Sequence, residues 1–161
     1  MSSDSPPLTE TEFRQAAGRF ATGITIATVL DESGAPHGLT ANSFTSVSLD
    51  PPLVLVCLAH TAATVERFRT AKHFGISILA EDQRHLSEHF ARKGHNRFDG
   101  IEWLRGITGV PLLPGAVGAM ECEVHRRVAM GDHDIFIGEV VRVEVHEKPP
   151  LLYFAGGYHH L

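Results

Sequence analysis

Beyond residue 23, apolar side chains mostly recur at every second position or in short unbroken runs, the spacing of strands. Ile24 to Leu30 is apolar and β-branched, and Asp31-Glu32-Ser33-Gly34 after it reads as a hairpin turn. Residues 37–47 resume as a strand rich in Thr and Ser, which Asp50-Pro51-Pro52 breaks. Leu53 to Ala59 is a continuous apolar run and predicts a strand buried on both faces. Phe74 to Ala80 is a further strand. Two long alternating strands come next, joined by a turn at Gly131-Asp132. In the first, Met120, Cys122 and Val124 face one way and Glu121 and Glu123 the other; in the second, Ile135, Ile137, Val141, Val143 and Val145 share a face. Leu151 to Phe154 and Gly156-Gly157-Tyr158 close the chain.

Three short segments carry helical spacing instead. Thr9 with Glu12 fits a capping box, and Phe13, Ala16, Ala17 and Phe20 share a face of a helix expected to stop near Gly23. Thr61 is expected to cap a helix running to about Thr70, with Val65 and Phe68 inward. Asp82 opens a third, with Leu86 and Phe90 at i, i+4 and Gly94 placed to end it. Residues 94–115 hold five glycines and two prolines and predict a long loop. Residues 1–8 read as a disordered lead-in and 9–161 as one domain. Six or so strands, three short helices and no βαβ rhythm predict a mainly β fold, an antiparallel barrel with helical decoration.

Composition narrows the function classes. The chain has 161 residues and a formal net charge of -5, which argues against a nucleic-acid binder. The two cysteines, Cys57 and Cys122, are far apart and form no metal or redox spacing, so both are expected reduced and buried. The polar start has no signal-peptide pattern, and no apolar stretch approaches the roughly 18 residues of a membrane span. A soluble cytoplasmic domain is the expectation.

Several motifs are missing: no G-x-G-x-x-G follows a strand, and neither a Walker A loop nor a G-x-S-x-G elbow occurs. His85-Leu86-Ser87-Glu88-His89 matches H-x-x-E-H. With 11 histidines in 161 residues that match arises easily by chance, and a solvated helix face explains it better than zinc. No metal site is expected. Thr40-Ala41-Asn42-Ser43-Phe44-Thr45-Ser46-Val47-Ser48 reads either as a strand edge in water or as a hydroxyl and backbone surface laid against a flat polar heterocycle. Thr61-Ala62-Ala63-Thr64 reads as plain helix capping or as a phosphate seat, with Arg92, Lys93 and Arg97 available as countercharge. His133 opens a long strand at a turn, placed to meet a ligand or to sit in solvent.

In order along the chain, these segments resemble the short-chain flavin reductase family, the reductase partners of two-component flavin monooxygenases. The resemblance rests on Phe20-Ala21-Thr22-Gly23-Ile24-Thr25, Gly38-Leu39-Thr40-Ala41-Asn42-Ser43-Phe44-Thr45-Ser46-Val47-Ser48, Pro51-Pro52-Leu53-Val54, Gly131-Asp132-His133 and Tyr153-Phe154-x-Gly156-x-Tyr158. It implies an antiparallel split β-barrel forming a homodimer, with FMN or FAD near the subunit interface. It also implies NADH or NADPH as hydride donor and a monooxygenase as possible partner. Carried over by position, Thr40, Asn42, Ser43 and Ser46 would meet the isoalloxazine and ribityl chain, with Cys57 and Ala59 lining the same site. Thr61 and Thr64 would take the phosphate, and Phe90 with Lys93 would close that end. His133 and Tyr158 would face the nicotinamide, with His133 as a positioning and electrostatic group. Where the family often has a serine two residues before Thr64, this chain has Ala62, leaving Thr61 to compensate. The alternatives left open are a flavin-binding electron carrier or sensor without turnover, an oxidase of a phosphorylated pyridoxine-like substrate, and a bare interaction domain. The oxidase would need a basic substrate pocket, and no arginine pair reads as placed for it.

Overall fold

The structure, a computed structural model, describes residues 5–94 and 96–161, so residues 1–4 of the expected lead-in lie outside it. Helix α1 (Glu10–Ala17) starts on the expected capping box, the Thr9 N–H donating to the Glu12 carboxylate at 2.9 Å and the Glu12 N–H to the Thr9 hydroxyl at 3.3 Å. It ends at Gly18, five residues early, because the chain turns into strand β1 (Thr22–Gly23). No residue of α1 is buried, and Phe13 and Phe20 are 60% and 79% exposed, so its apolar face packs on nothing within the chain.

The principal sheet is antiparallel. Its strands are β2 (Thr25–Leu30), β3 (Pro36–Ala41), β4 (Thr45–Leu49), β5 (Pro52–Ala59), β6 (His73–Ile78), β9 (Gly118–Met130) and β10 (His133–Val145), in the order β3-β2-β6-β9-β10-β5-β4. The expected single strand 37–47 is thus two strands on opposite edges, joined only by Asn42-Ser43-Phe44. Seven flat strands would hold those edges about 29 Å apart, whereas the four steps from Ala41 to Thr45 reach at most about 14 Å. The sheet must therefore curl until its edges approach, which makes a split barrel.

Strands β7 (Leu104–Arg105) and β8 (Pro111–Leu112) form a small ribbon inside the expected long loop. Strand β1 joins β11 (Leu152–Phe154) and β12 (Gly157–His159) in a second sheet. Helix α2 (Val65–Thr70) is six residues long and begins four residues after Thr61. Thr61 lies in a turn, with the Ala62 N–H bonded to the Ala59 carbonyl at 2.9 Å, and does not cap the helix. Helix α3 (Arg84–Ala91) follows a 3-10 turn at Glu81–Gln83, so it opens two residues after Asp82; it ends at Ala91, ahead of Gly94.

Two burial expectations are corrected, that for the run 53–59 and that for Cys57, which is half-buried. β5 is not buried on both faces: Val54, Val56 and Leu58 are buried, and Leu55, Cys57 and Ala59 only half so. On β10 the buried side carries Asp134, Phe136 and Gly138, while Val141, Val143 and Val145 are exposed. The barrel core is built around Phe68, Phe74 and Phe136, with ring centroids 5.6 and 6.4 Å from Phe68. A second cluster, with Ile24, Ile26, Leu79, Phe90 and Leu151, seats α3 against the barrel. That seating opens a groove along β3.

Candidate functional site

Thr40 and Asn42 stand at the end of β3, where α3 crosses it. The Thr40 hydroxyl donates to the Ser87 carbonyl at 2.6 Å, locking strand to helix. Ser87 is fully buried, and its hydroxyl lies 2.9 Å from the Tyr158 hydroxyl. The Arg84 guanidinium sits 4.8 Å from the Tyr158 ring centroid. These contacts hold Tyr158 on the wall of a cavity of about 200 Å³ that Thr40, Asn42, Ser87 and Ala91 also line.

Thr40 and Ala91 also line the next cavity, about 310 Å³, with Ala59, Thr61, Phe90 and Lys93. Phe90 is fully buried and forms its floor, edge-on to Phe98 at 5.1 Å. Through Ala63 and Arg97 this space continues into a third of about 370 Å³, which Thr64, Arg67 and Gly94 line. The three form one groove with Tyr158 at one end and Thr64 at the other.

The Thr64 end suits an anion. The Thr64 hydroxyl is buried, the residue being 6% exposed, and has no hydrogen-bond partner among the described residues. A buried orphan hydroxyl costs free energy unless something occupies its hydrogen-bonding capacity. Arg67 and Arg97 line that end, and Lys93 lines the adjoining cavity; Arg97 donates to the Gly38 carbonyl at 2.8 Å, and burial depresses its pKa. The Thr40 end is edged by hydroxyls, an amide and a phenol. Among the described residues lining the groove there is no carboxylate and no thiol. The groove's histidine, His37, lines the Thr64 cavity with Nε2 2.8 Å from the Asp31 carboxylate, so the Thr40 end binds and orients.

The sequence-derived candidates divide accordingly. Thr40, Asn42, Ala59, Thr61, Thr64, Phe90, Lys93 and Tyr158 line the groove. Ser43, Ser46, Cys57 and His133 do not line it. The Ser43 hydroxyl accepts from the Cys57 N–H at 3.0 Å and reaches the Cys57 carbonyl at 3.1 Å, continuing the β4–β5 ladder where β4 has ended. Burial pushes the Cys57 thiol pKa up, and that of Cys122 to about 12. Ser46 is exposed on β4. His133 is paired across the ladder with Ala59, at the groove's edge, and its Nδ1 lies 2.6 Å from the Asp132 carboxylate, which holds that carboxyl below its usual range. His89 of the H-x-x-E-H segment has its Nε2 2.8 Å from the Arg97 carbonyl oxygen. Arg67 and Arg97 line one cavity, the arginine pair the sequence pattern did not reveal. Ser87 was missed too; its signal is a small polar residue four positions before Ala91, on the inward face of α3.

A family model for the flavin reductase like domain matches residues 17–161. The chain is 47% identical over 135 residues to the actinorhodin polyketide dimerase of Streptomyces coelicolor, covering 84% of this chain and 76% of that protein. It is 43% identical over 145 residues to the stachydrine N-demethylase reductase subunit Stc3 of Rhizobium meliloti, covering 90% of this chain and 63% of that longer protein. Among solved structures, the NADH:FAD oxidoreductase SgcE6 of Streptomyces globisporus C-1027, in complex with NAD and FAD fragments, superimposes with a TM-score of 0.89 at 37% identity, covering 97% of both chains. With a split barrel, a groove suited to an anionic ligand and matches over most of its length, the chain belongs to the flavin reductase-like domain family.

Proposed function

We propose that this chain is an NAD(P)H-dependent flavin reductase, with NADH the favoured donor. The observation that carries the reading is the Thr64 hydroxyl, unpartnered among the described residues, in a cavity that Arg67 and Arg97 line beside the one that holds Lys93, which fits the phosphate of FMN or FAD. Bound flavin supplies the hydride acceptor, and the nicotinamide the donor. The chain supplies seating and orientation. Thr61 and Thr64 hold the phosphate with Lys93, over the Phe90 floor. Thr40 and Asn42 meet the ring along β3. Ser43, Cys57 and Ala59 shape the β5 side through backbone, since the Ser43 hydroxyl is already engaged, and Ser46 completes that rim from a second copy's groove or its own. Tyr158, held by Ser87 and Arg84, and His133, held by Asp132, flank the nicotinamide.

The name of SgcE6 as an NADH:FAD oxidoreductase supports NADH, and that of Stc3 as a reductase subunit supports delivery of reduced flavin to a monooxygenase partner. A homodimer is the assembly that would cover Val141, Val143, Val145 and the α1 face. Residues 9–161 form the single functional domain. The two free cysteines fit a cytoplasmic location, and no helix among the described residues is long and apolar enough to cross a membrane.

The test is NADH and NADPH oxidation with and without added FMN, FAD or riboflavin. Turnover that depends on added flavin is expected. Flavin binding without turnover would move the function to an electron carrier or sensor. The Arg67–Arg97 pair gives the oxidase alternative a basic pocket, and it would show as oxidation of a phosphorylated pyridoxine by oxygen with no NADH present.

A further inference from the structure

A buried ionic cluster lies where β10 begins, outside the groove. Asp134 is 1% exposed, a costly place for a carboxylate unless its oxygens are paired. Oδ2 accepts from Arg69 Nε on α2 at 2.7 Å and lies 3.8 Å from Arg127 Nη1 on β9; Oδ1 is 3.1 Å from His60 Nε2. His60 is tied to the same turn a second time, its backbone N–H donating to the Asp132 carbonyl at 2.9 Å. The Asp132 carboxylate in turn holds His133 Nδ1 at 2.6 Å. Contacts therefore run without a gap from α2, through Asp134 and His60, to the His133 imidazole.

A buried ion pair is a poor source of net stability, because desolvation offsets most of the attraction. What this one adds is orientation. His60 directly precedes the Thr61–Thr64 segment, and Asp134 directly follows His133. We infer that Asp134, acting through His60, is a positioning residue that holds His133, at the nicotinamide side, in fixed relation to the phosphate-binding Thr61–Thr64 turn. The inference rests on the flavin reductase reading above. A misplacement of His133 by a fraction of an ångström would then show in NADH use while leaving the flavin seat intact.

Two variants test it. Asp134→Asn preserves shape; His60→Ala alters a side chain 38% exposed and leaves the Asp134–Arg69 pair in place. For each, alone and combined with His133→Ala, kcat and KM for NADH are measured at saturating flavin. Flavin affinity is measured without NADH, by fluorescence quenching. The expected result is a KM for NADH raised about tenfold with flavin affinity retained, partial rescue by His60→Gln, and little further loss on adding His133→Ala. A role confined to folding would lower thermal stability and add independently to His133→Ala, and that additivity would overturn the inference. Unchanged NADH kinetics in both variants of a parent that turns over would overturn it alone. A parent that oxidises no NADH with any flavin would remove the reductase reading, and the positioning role with it.

Discussion

At the scale of single residues, Thr64 offers the sharpest test because two readouts move in opposite directions. Valine matches threonine in shape and removes the hydroxyl. Since that hydroxyl is buried without a partner among the described residues, Thr64→Val is expected to leave the ligand-free chain as stable or more so, by up to about 1–3 kcal/mol. The same change should weaken FMN but not riboflavin, which lacks the phosphate. Thermal melts and fluorescence titrations with both flavins check this; equal weakening of the two would move the phosphate elsewhere. His133→Ala is expected to lower kcat/KM for NADH with flavin affinity unchanged, and unaltered NADH kinetics would count against its role. Groove-lining residues such as Thr40, Asn42 and Thr64 were readable in the sequence. Ser43 was not, because its hydroxyl faces the Cys57 backbone, a partner 14 positions away.

At the scale of elements, β9 and the β7–β8 ribbon are joined by a carboxylate that strand alternation set on the face opposite Met120, Cys122 and Val124. Glu121 is 2% exposed, and it accepts from the Ile107 N–H at 3.0 Å and from the Thr108 N–H and hydroxyl at 2.7 and 2.6 Å. Burial works to raise its pKa, but these donors outweigh that and hold the carboxyl below its ordinary range. A depressed native pKa gives stability that is complete above the unfolded value and is lost as pH falls through the folded one. Glu121→Gln places an N–H against a backbone donor and should cost about 1–3 kcal/mol at neutral pH. The difference from the parent should shrink below about pH 4, and denaturant melts across that range check it. Gly138 shows the same long-range dependence. A Cβ there would lie 2.5 Å from the Phe74 ring and 2.7 Å from Cys122 Cβ. Gly138→Ala is therefore expected to cost about 1–3 kcal/mol by overpacking, seen as a lower midpoint of unfolding.

At the scale of the whole molecule, the exposed apolar side of β10 and the bare face of α1 are what the proposed homodimer would cover. Val145 is 80% exposed, Leu49 on β4 96% and Phe20, just past α1, 79%. Val143→Glu is expected to convert a dimer to monomers in sedimentation velocity, and to abolish any dependence of the melting temperature on protein concentration. A parent that sediments as a monomer at micromolar concentration would remove the dimer.

Local signals settled those features whose partners lie close in sequence. Capping at Thr9, the hairpin after Leu30 and the turn at Gly131-Asp132 each depend on neighbours a few positions away, so the sequence by itself determined them. The family resemblance, spread over nearly the whole chain, likewise located most of the groove. Only the tertiary structure decided the rest. The break of 37–47 into two edge strands follows from barrel closure. The burial of Glu121 follows from a loop folding over β9. The pairing of Arg67 with Arg97, and of Asp134 with His60 and Arg69, follows from elements that meet only once the sheet has curled. Partners supplied by distant segments leave no periodic trace in the chain that carries them.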